Sequence, residues 1–245
     1  MIPLPIRDDN PRYRFPVVTV LIIAANALVW LYEAFNVKSC GYRGSFMPVI
    51  YQFGAIPAWI LHGVSSGRIE IGECHTVVEF MQALPAPWTV LTSMFLHGSW
   101  LHIIGNMWFF WIFGDNIEDA MGSIRFIIFY LLCGVIAAFT QIFSTPDAVV
   151  PMVGASGAIA GVLGGYALQF PRSSVRCLWI LIIFITFIDL PAWLLLGLWF
   201  VSQFFVSQHS GVAAMAHVGG FLAGLGLIRL FVKRRPVRPQ RIVWQ

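Results

Sequence analysis

Four polar residues in otherwise apolar parts of this sequence could together cleave an acyl bond through a serine nucleophile. Ser156 follows Gly154 at the start of a short apolar run, and His217 lies near the start of another. A histidine that takes the Oγ proton activates a serine for attack on a carbonyl carbon. His102 and Asn106 lie four positions apart, on one helix face, and their N–H groups could bind the oxyanion that the attack creates.

The composition indicates that these residues belong to a membrane protein. Of the 245 residues, 58% are hydrophobic and 11% are charged, whereas soluble domains carry roughly 25% charged residues. Such a chain is neither disordered nor, with four cysteines, a secreted disulfide scaffold. Fifteen Lys and Arg against eleven Asp and Glu are too few charges to neutralise many phosphates. We therefore expect a lipid bilayer as its surroundings and no nucleic acid as a partner.

Six apolar runs predict transmembrane helices. A helix needs about 20 apolar residues to cross the hydrocarbon core, so the short run 156–170 can span only if it begins below the membrane surface. Asp189 and Pro191 divide a longer run, which predicts a helix from about Pro191 and an extended or interfacial segment over 175–188. The predicted spans are residues 15–35, 101–117, 124–143, 156–170, 191–206 and 212–232.

The loop charges predict that both termini are cytoplasmic. Twelve of the fifteen Lys and Arg residues fall on the side of the termini, and cytoplasmic loops carry such an excess. Residues 1–14 then form a cytoplasmic N-terminus, 38–100 an outer loop and 233–245 a basic cytoplasmic tail. The three remaining cations, in the outer loop, are Lys38, Arg43 and Arg68. Without an organelle-targeting signature, we expect a bacterial inner membrane.

In this topology the second, fourth and sixth spans all run inward, so their starts share one depth. The four polar residues can therefore meet just below the outer surface. The short fourth helix begins there with unpaired N–H groups, and Gly154 and Gly157 permit a sharp turn and a close backbone approach. Asp115, Glu118 and Asp119 lie at the other end of the second span. The sequence thus predicts a Ser–His dyad rather than a triad.

Small residues recur every fourth position on the fourth and sixth spans. Such ridges let two membrane helices approach closely, so these glycines are expected to position the helices rather than to react. The ridges are Gly157, Gly161 and Gly165 on the fourth span and Ala216, Gly220 and Gly224 on the sixth.

The outer loop is too long for a structureless connection. We expect short amphipathic helices on the membrane surface, with Trp59, Phe80 and Trp88 as interfacial anchors. Cys40 and Cys74 lie in the same loop, where a disulfide and two free thiols are equally open. The other two cysteines, Cys133 and Cys177, lack metal-ligand spacing and are assigned to packing.

Three motifs resemble those of the rhomboid family of intramembrane serine proteases. They are Gly154-Ala155-Ser156-Gly157, Ala216-His217-Val218-Gly219-Gly220, and His97 with His102-Ile103-Ile104-Gly105-Asn106. The resemblance runs from about residue 88 to residue 232. It implies one rhomboid-like domain over 1–245, an all-α six-helix bundle with a long structured first outer loop.

The same resemblance implies an activity. A peptide bond would be hydrolysed within or next to the transmembrane helix of a single-pass or polytopic membrane protein, with access near the fifth helix and without metal or cofactor. Ser156 would be the nucleophile, His217 the general base, and His102 with Asn106 the oxyanion hole. The supporting residues would be His97, Gly154, Gly157 and Gly220.

Two positions depart from the family's pattern. Many members carry a Trp-Arg pair in the first outer loop, where this chain has Trp88 and Thr89. Some members have an aromatic residue four positions after the serine, where this chain has Ala160. Another side chain must therefore restrain His217.

Several alternatives stay open at this stage. Ser156 alone could bond to a backbone carbonyl, His217 alone could be structural or a proton relay, and His97 could be a loop histidine that orients its neighbours. A catalytically silent relative that binds transmembrane helices is the second hypothesis. A transporter or metal-handling protein is the third, suggested by the three histidines but opposed by the apolar inner halves of the spans.

Overall fold

The computed structural model describes residues 3–35, 47–64, 66–71, 76–181, 184–207 and 211–232, and this part of the chain is mostly helical. In chain order its elements are β1 (Leu4–Asp8), α1 (Val17–Phe35), α2 (Met47–Phe53), α3 (Pro57–His62), β2 (Ser66–Ile71), β3 (Thr76–Met81), α4 (Thr89–Thr92), α5 (Trp100–Met121), α6 (Ser123–Ser144), α7 (Ser156–Gln169), β4 (Ser174–Leu181), β5 (Phe184–Pro191), α8 (Ala192–Ser202) and α9 (Ala214–Phe231).

Each of the six predicted spans corresponds to one helix, namely α1 and α5 to α9. The bounds agree to within a few residues; α5 continues to Met121, and α8 passes into a 3-10 turn, Gln203–Phe205. Among the described residues, three helices are long and apolar enough to cross a membrane: α1, α6 and α9. The count of six spans stays a prediction.

The all-α prediction is wrong, because the described residues contain two antiparallel sheets. One is the hairpin of β2 and β3, and the other has the strand order β1-β4-β5. The described residues of the predicted extended segment 175–188 fall within β4 and β5, whose β-branched and aromatic residues favour strands. The N-terminal segment, expected only as a cytoplasmic terminus, supplies β1, and the Pro5 carbonyl accepts a hydrogen bond from Trp108 Nε1 at 2.7 Å.

The described part of residues 38–100, the predicted outer loop, forms regular elements. It contains the short helices α2 and α3, but the hairpin of β2 and β3 was not expected. The prediction of Trp59 as an interfacial anchor is wrong: Trp59 is buried in a cluster with Tyr51 and Ile56, and Gly67 of β2 lies against its ring. Trp88 is exposed, as an anchor would be. The Phe80 side chain, Cys40, Cys74, Lys38, Arg43 and residues 233–245 lie outside the described part of the chain.

Close packing of α7 against α9 confirms the predicted glycine ridges. A Cβ at Gly220 would collide with the carbonyl oxygen of Gly157, and a Cβ at Gly224 with that of Gly161. The first half of α7 is almost wholly buried, as expected for a helix that neighbours surround. Cys133 and Cys177 are buried free thiols, which confirms their assignment to packing.

The acidic residues at the C-terminal end of α5 serve the fold. The Glu118 carboxylate accepts hydrogen bonds from the backbone N–H groups of Val18 and Thr19, at 3.0 and 2.8 Å, and so caps the start of α1. The Ser123 hydroxyl donates to the same carboxylate at 2.6 Å. Asp119 accepts from the backbone N–H of Tyr13. These contacts hold the N-terminal segment against α5.

Candidate active site

The structure brings Ser156 and His217 into direct contact. Ser156 is the first residue of α7, and His217 lies in the first turn of α9. Their atoms Oγ and Nε2 are 2.8 Å apart, within hydrogen-bonding distance. The serine hydroxyl can therefore donate its proton to the histidine ring, which is the contact that the sequence predicts.

Gly154 makes the sharp turn that leads into α7. Its φ angle is +119°, which side chains rarely adopt, and its N–H donates to the Ser93 carbonyl at 2.9 Å. A Cβ at Gly154 would lie 2.6 Å from His102 Nε2. The N-cap position of α7 is Ala155, whose methyl group cannot accept a hydrogen bond, so no side chain caps this helix.

The two predicted oxyanion residues line the same cavity as the Ser156–His217 pair. The cavity has a volume of about 590 Å³, and apolar side chains such as Phe109 line much of its wall. The Gly98 N–H points at His102 Nδ1, and the two nitrogen atoms are 3.5 Å apart. The ring proton is therefore assigned to Nε2, next to Gly154. His102 Nε2–H is then a donor in the same cavity as Ser156.

His97 orients Asn106, which was one of the interpretations left open. Asn106 Nδ2 donates to His97 Nε2 at 2.9 Å, leaving its second N–H hydrogen for the cavity. His97 is fully buried, and its backbone N–H donates to both oxygens of Glu33, at 3.3 and 3.2 Å. Burial lowers the pKa of His97 to about 3, so its ring is neutral and Nε2 can accept.

Two residues of the α8 region contact the His217 ring. They supply the restraint that the small side chain of Ala160 cannot provide. The ring of Trp199 lies 5.7 Å from that of His217, at an interplanar angle of 38°. Gln203 Oε1 lies 2.7 Å from His217 Nδ1. Neither residue is among those predicted from the sequence, although Gln203 is a polar residue inside the predicted span 191–206 and could have been found by that signal.

Gln141 is a second glutamine near the site that the sequence did not predict. The N-cap position of α9 is Ala213, which has no polar side chain. Gln141 of α6 supplies the cap instead, because its Oε1 accepts from the backbone N–H groups of Met215 and Ala216, at 3.1 and 3.2 Å. This cap fixes the turn of helix that carries His217.

The histidines near the cavity were considered as possible metal ligands in the third hypothesis. In the part of the chain that was searched, no three residues of the types His, Cys, Asp or Glu are close enough together to hold a metal ion. His97 and His102 pack edge to face, with ring centroids 5.0 Å apart.

Membrane-length apolar helices, close glycine contacts and a cavity with a few polar groups at the helix starts define a helical protein of the membrane. Residues 85–234, more than half of the chain, match the family model described as Rhomboid domain. The chain belongs to the rhomboid family.

Named members of the family are about 30% identical to this chain. Rhomboid-like protease 3 of Toxoplasma gondii is 29% identical over 152 residues, which cover 60% of this chain and 52% of that protein. RHOMBOID-like protein 6, mitochondrial, of Arabidopsis thaliana is 31% identical over 150 residues, 58% of this chain and 44% of that protein. Rhomboid protease GluP of Bacillus subtilis is 33% identical over 140 residues, 56% of this chain and 24% of that protein. The match thus spans about half or less of each relative's length.

Proposed function

We propose that this protein is an intramembrane serine endopeptidase that cleaves membrane-protein substrates through Ser156 and His217. The observation that carries the proposal is the 2.8 Å contact between Ser156 Oγ and His217 Nε2 at the uncapped start of α7. Relatives named as proteases, among them Rhomboid protease GluP, add support. We assign the whole chain, 1–245, to one catalytic membrane domain.

In the first half of the reaction Ser156 Oγ attacks the carbonyl carbon of the scissile peptide bond. Its proton passes to His217 Nε2 as the C–O bond forms. His102 Nε2–H, the free Asn106 N–H and the backbone N–H of Ser156 stabilise the negative charge on the former carbonyl oxygen. The protonated ring then gives its proton to the leaving amine as the C–N bond breaks, which leaves an acyl-enzyme.

In the second half a water molecule replaces the amine. His217 takes a proton from the water, and the resulting hydroxide attacks the ester carbon of the acyl-enzyme. The ring returns the proton to Ser156 Oγ as the ester bond breaks, which restores the hydroxyl and releases the new carboxyl terminus. The oxyanion donors act in both halves.

We propose that six helices, α1 and α5 to α9, lie in the bilayer with both termini in the cytoplasm. The three helices that carry the site, α5, α7 and α9, bring His102, Ser156 and His217 together near their N-terminal ends, which supports one common orientation for all three. Helix α7, with 14 residues, is about 21 Å long, so its start lies below the membrane surface if its end reaches the cytoplasmic side. We place the protein in the inner membrane of a bacterium, with the outer loop on the opposite side.

The cavity favours an apolar, locally extended segment as the substrate. Phe109 of α5, Leu163 of α7 and Trp199 of α8 contribute apolar wall beside the nucleophile. Helical peptide bonds are shielded by their own hydrogen bonds, so a transmembrane segment must unwind before Ser156 can reach it. Substrates with small or helix-breaking residues near the outer surface fit this requirement.

The decisive experiment is labelling of the purified protein, in liposomes, by a fluorophosphonate probe. We expect wild-type protein to be labelled and to cleave a model transmembrane substrate, and we expect Ser156→Ala and His217→Ala to do neither. Ser66→Ala, at an exposed serine of β2, is the matched control and should behave as wild type. Proteolysis undiminished by Ser156→Ala would refute the proposal. A wild-type protein that binds the substrate without labelling or cleavage would identify the catalytically silent alternative.

A further inference from the structure

Gln203 lies directly behind His217, on the side of the ring opposite Ser156. It is the first residue of the 3-10 turn that follows α8, and its side chain is almost fully buried. Its Oε1 is 2.7 Å from His217 Nδ1, while Ser156 Oγ is 2.8 Å from Nε2 of the same ring. Serine, histidine and glutamine therefore form one continuous hydrogen-bonded row.

The surroundings of Gln203 determine which end of its amide faces the histidine. Nε2 donates to the Trp199 carbonyl at 3.0 Å and to Ser202 Oγ at 3.2 Å. The Ser202 hydroxyl donates its hydrogen bond to the Trp199 carbonyl at 2.6 Å, so Ser202 Oγ can accept a hydrogen bond from the Gln203 amide. With both N–H hydrogens engaged, the amide presents its oxygen to His217.

An amide oxygen can only accept, so the proton of the neutral His217 ring is assigned to Nδ1. Nε2 then carries the lone pair, and it is the atom that faces the Ser156 hydroxyl. With the opposite tautomer, Nε2 could not accept the serine proton, and the base would be lost. The orientation of one amide thus determines whether His217 can act as a base.

We propose that Gln203 is a positioning residue that takes the place of the carboxylate in a Ser–His–acid triad. This inference rests on the proposed serine protease function. Like a triad carboxylate, Gln203 holds the productive tautomer and the ring orientation of His217. Unlike a carboxylate, it brings no charge, and a buried charge within membrane helices is costly. Trp199, which packs on the same ring, restricts its tilt.

A neutral partner also affects how readily His217 is protonated. A carboxylate beside Nδ1 would favour the imidazolium strongly, an amide oxygen favours it weakly, and an apolar side chain does not favour it at all. Deprotonated His217 is the active base. The midpoint of the pH–rate profile should therefore rise in the order Gln203→Leu, wild type, Gln203→Glu.

The test measures the second-order rate constant of fluorophosphonate labelling against pH, for the full chain in liposomes. We expect Gln203→Leu to lower the rate constant at the plateau about a hundredfold, because the tautomer is no longer held. We expect Gln203→Glu to stay within about tenfold of wild type and to move the midpoint upward by about one pH unit. The inference would be overturned if Gln203→Leu were labelled as fast as wild type. It would also be overturned if the midpoint of the pH–rate profile were unchanged in both variants.

Gln82→Leu is the matched control for the substitution itself. Gln82 is equally buried, but its Nε2 donates to the Gly54 carbonyl in the outer loop, away from His217. Its labelling rate per folded molecule should equal that of wild type. Size-exclusion chromatography and the thermal denaturation midpoint show how much of each variant is folded.

The tautomer itself can be read without any catalysis. In ¹⁵N-histidine-labelled Ser156→Ala protein, the His217 signals are identified by their loss in the Ser156→Ala/His217→Ala double variant. We expect Nδ1 to carry the proton, and we expect that preference to be lost when Gln203→Leu is added to Ser156→Ala. Proton placement on Nε2 in the presence of Gln203 would overturn the Gln203 inference. If wild type is not labelled but the Nδ1–H tautomer depends on Gln203, only the protease proposal fails.

Discussion

At the scale of single residues, the proposed mechanism gives two histidines of one cavity different roles, because their ring protons are assigned to opposite nitrogens. With Gln203 assigned as the acceptor from His217 Nδ1, Nε2 of that ring carries the lone pair. The Gly98 N–H faces His102 Nδ1, so Nε2 of that ring is a donor. Both rings direct Nε2 towards Ser156 in this mechanism. A proton acceptor needs an Nε2 without a proton, whereas an oxyanion donor needs an Nε2 that carries one. The neighbours of each ring, rather than the residue type, separate the two roles.

The Gly154→Ala substitution tests the turn that presents the nucleophile. A methyl group at φ +119° is strained, at a cost of about 1–3 kcal/mol, and it would also lie 2.6 Å from His102 Nε2. We expect the labelling rate of Ser156 to fall at least about tenfold, because strain and displacement of His102 both disturb the oxyanion donors.

Gly63→Ala is the control for the strain alone. Gly63 also has a positive φ, +69°, but a Cβ there would meet nothing within 4 Å. It should reduce stability slightly and leave the labelling rate per folded molecule unchanged. Equal labelling of the Gly154→Ala variant and wild type would show that the turn does not control the site.

At the scale of elements, the starts of α7 and α9 meet because both helices have glycine where they cross. Their backbones approach so closely that a carbonyl oxygen of α7 occupies the place of a side chain on α9. Neither helix has a capping side chain at its own N-cap, and Gln141 of α6 supplies the cap for α9. The start of α7 has no side-chain cap, and in the proposed mechanism its N–H groups bind the oxyanion.

The Gly224→Ala substitution tests this crossing. The added methyl group would collide with the Gly161 carbonyl, and overpacking of this kind costs about 1–3 kcal/mol. We expect a lower thermal denaturation midpoint and, because α9 carries His217, a slower labelling rate.

Gly226→Ala is the control on the same helix. A Cβ at Gly226 would meet nothing within 4 Å, so this variant should be at least as stable as wild type because alanine favours a helix more than glycine does. If both variants lost the same stability, helix propensity rather than close packing would be the cause.

At the scale of the whole molecule, the two ends of α5 have separate tasks. His102 lies in its first turn, within the cavity, and Glu118 lies in its last turn, where it caps α1. Sixteen residues of helix separate the two side chains, a distance of about 24 Å. Stability at one end and chemistry at the other should therefore respond independently to substitution.

The Glu118→Ala substitution tests that separation. Buried backbone N–H groups at the start of α1 would lose their acceptor, at a cost on the order of 3 kcal/mol. We expect a lower denaturation midpoint with an unchanged labelling rate per folded molecule. Asp147→Ala is the control, because Asp147 is exposed and its contact with His62 is a surface pair. A labelling rate that fell with Glu118→Ala would show that the two ends are coupled.

The sequence is informative about local pattern and less so about distant contacts. Apolar runs predict the six long helices, and residue type with helix position predicts the meeting of Ser156 and His217. The amide orientation of Gln203 could not be predicted, because it depends on the carbonyl of Trp199 and on the turn that follows α8. Nor could the burial of Trp59, which depends on a hairpin that lies over it.

The pairing of β1 with β4 has a consequence for the order in which the chain can fold. Leu4 pairs with Leu178, so the strands that meet are separated by nearly three quarters of the chain. During synthesis β1 precedes its partner strand, which follows only after α1, α5, α6 and α7 have been made. Contacts of such long sequence separation form late, because the intervening chain must be ordered before they close. Strand β1 can therefore pair only after four helices of the bundle have been made, and this pairing ties the segment before α1 to the segment that follows α7.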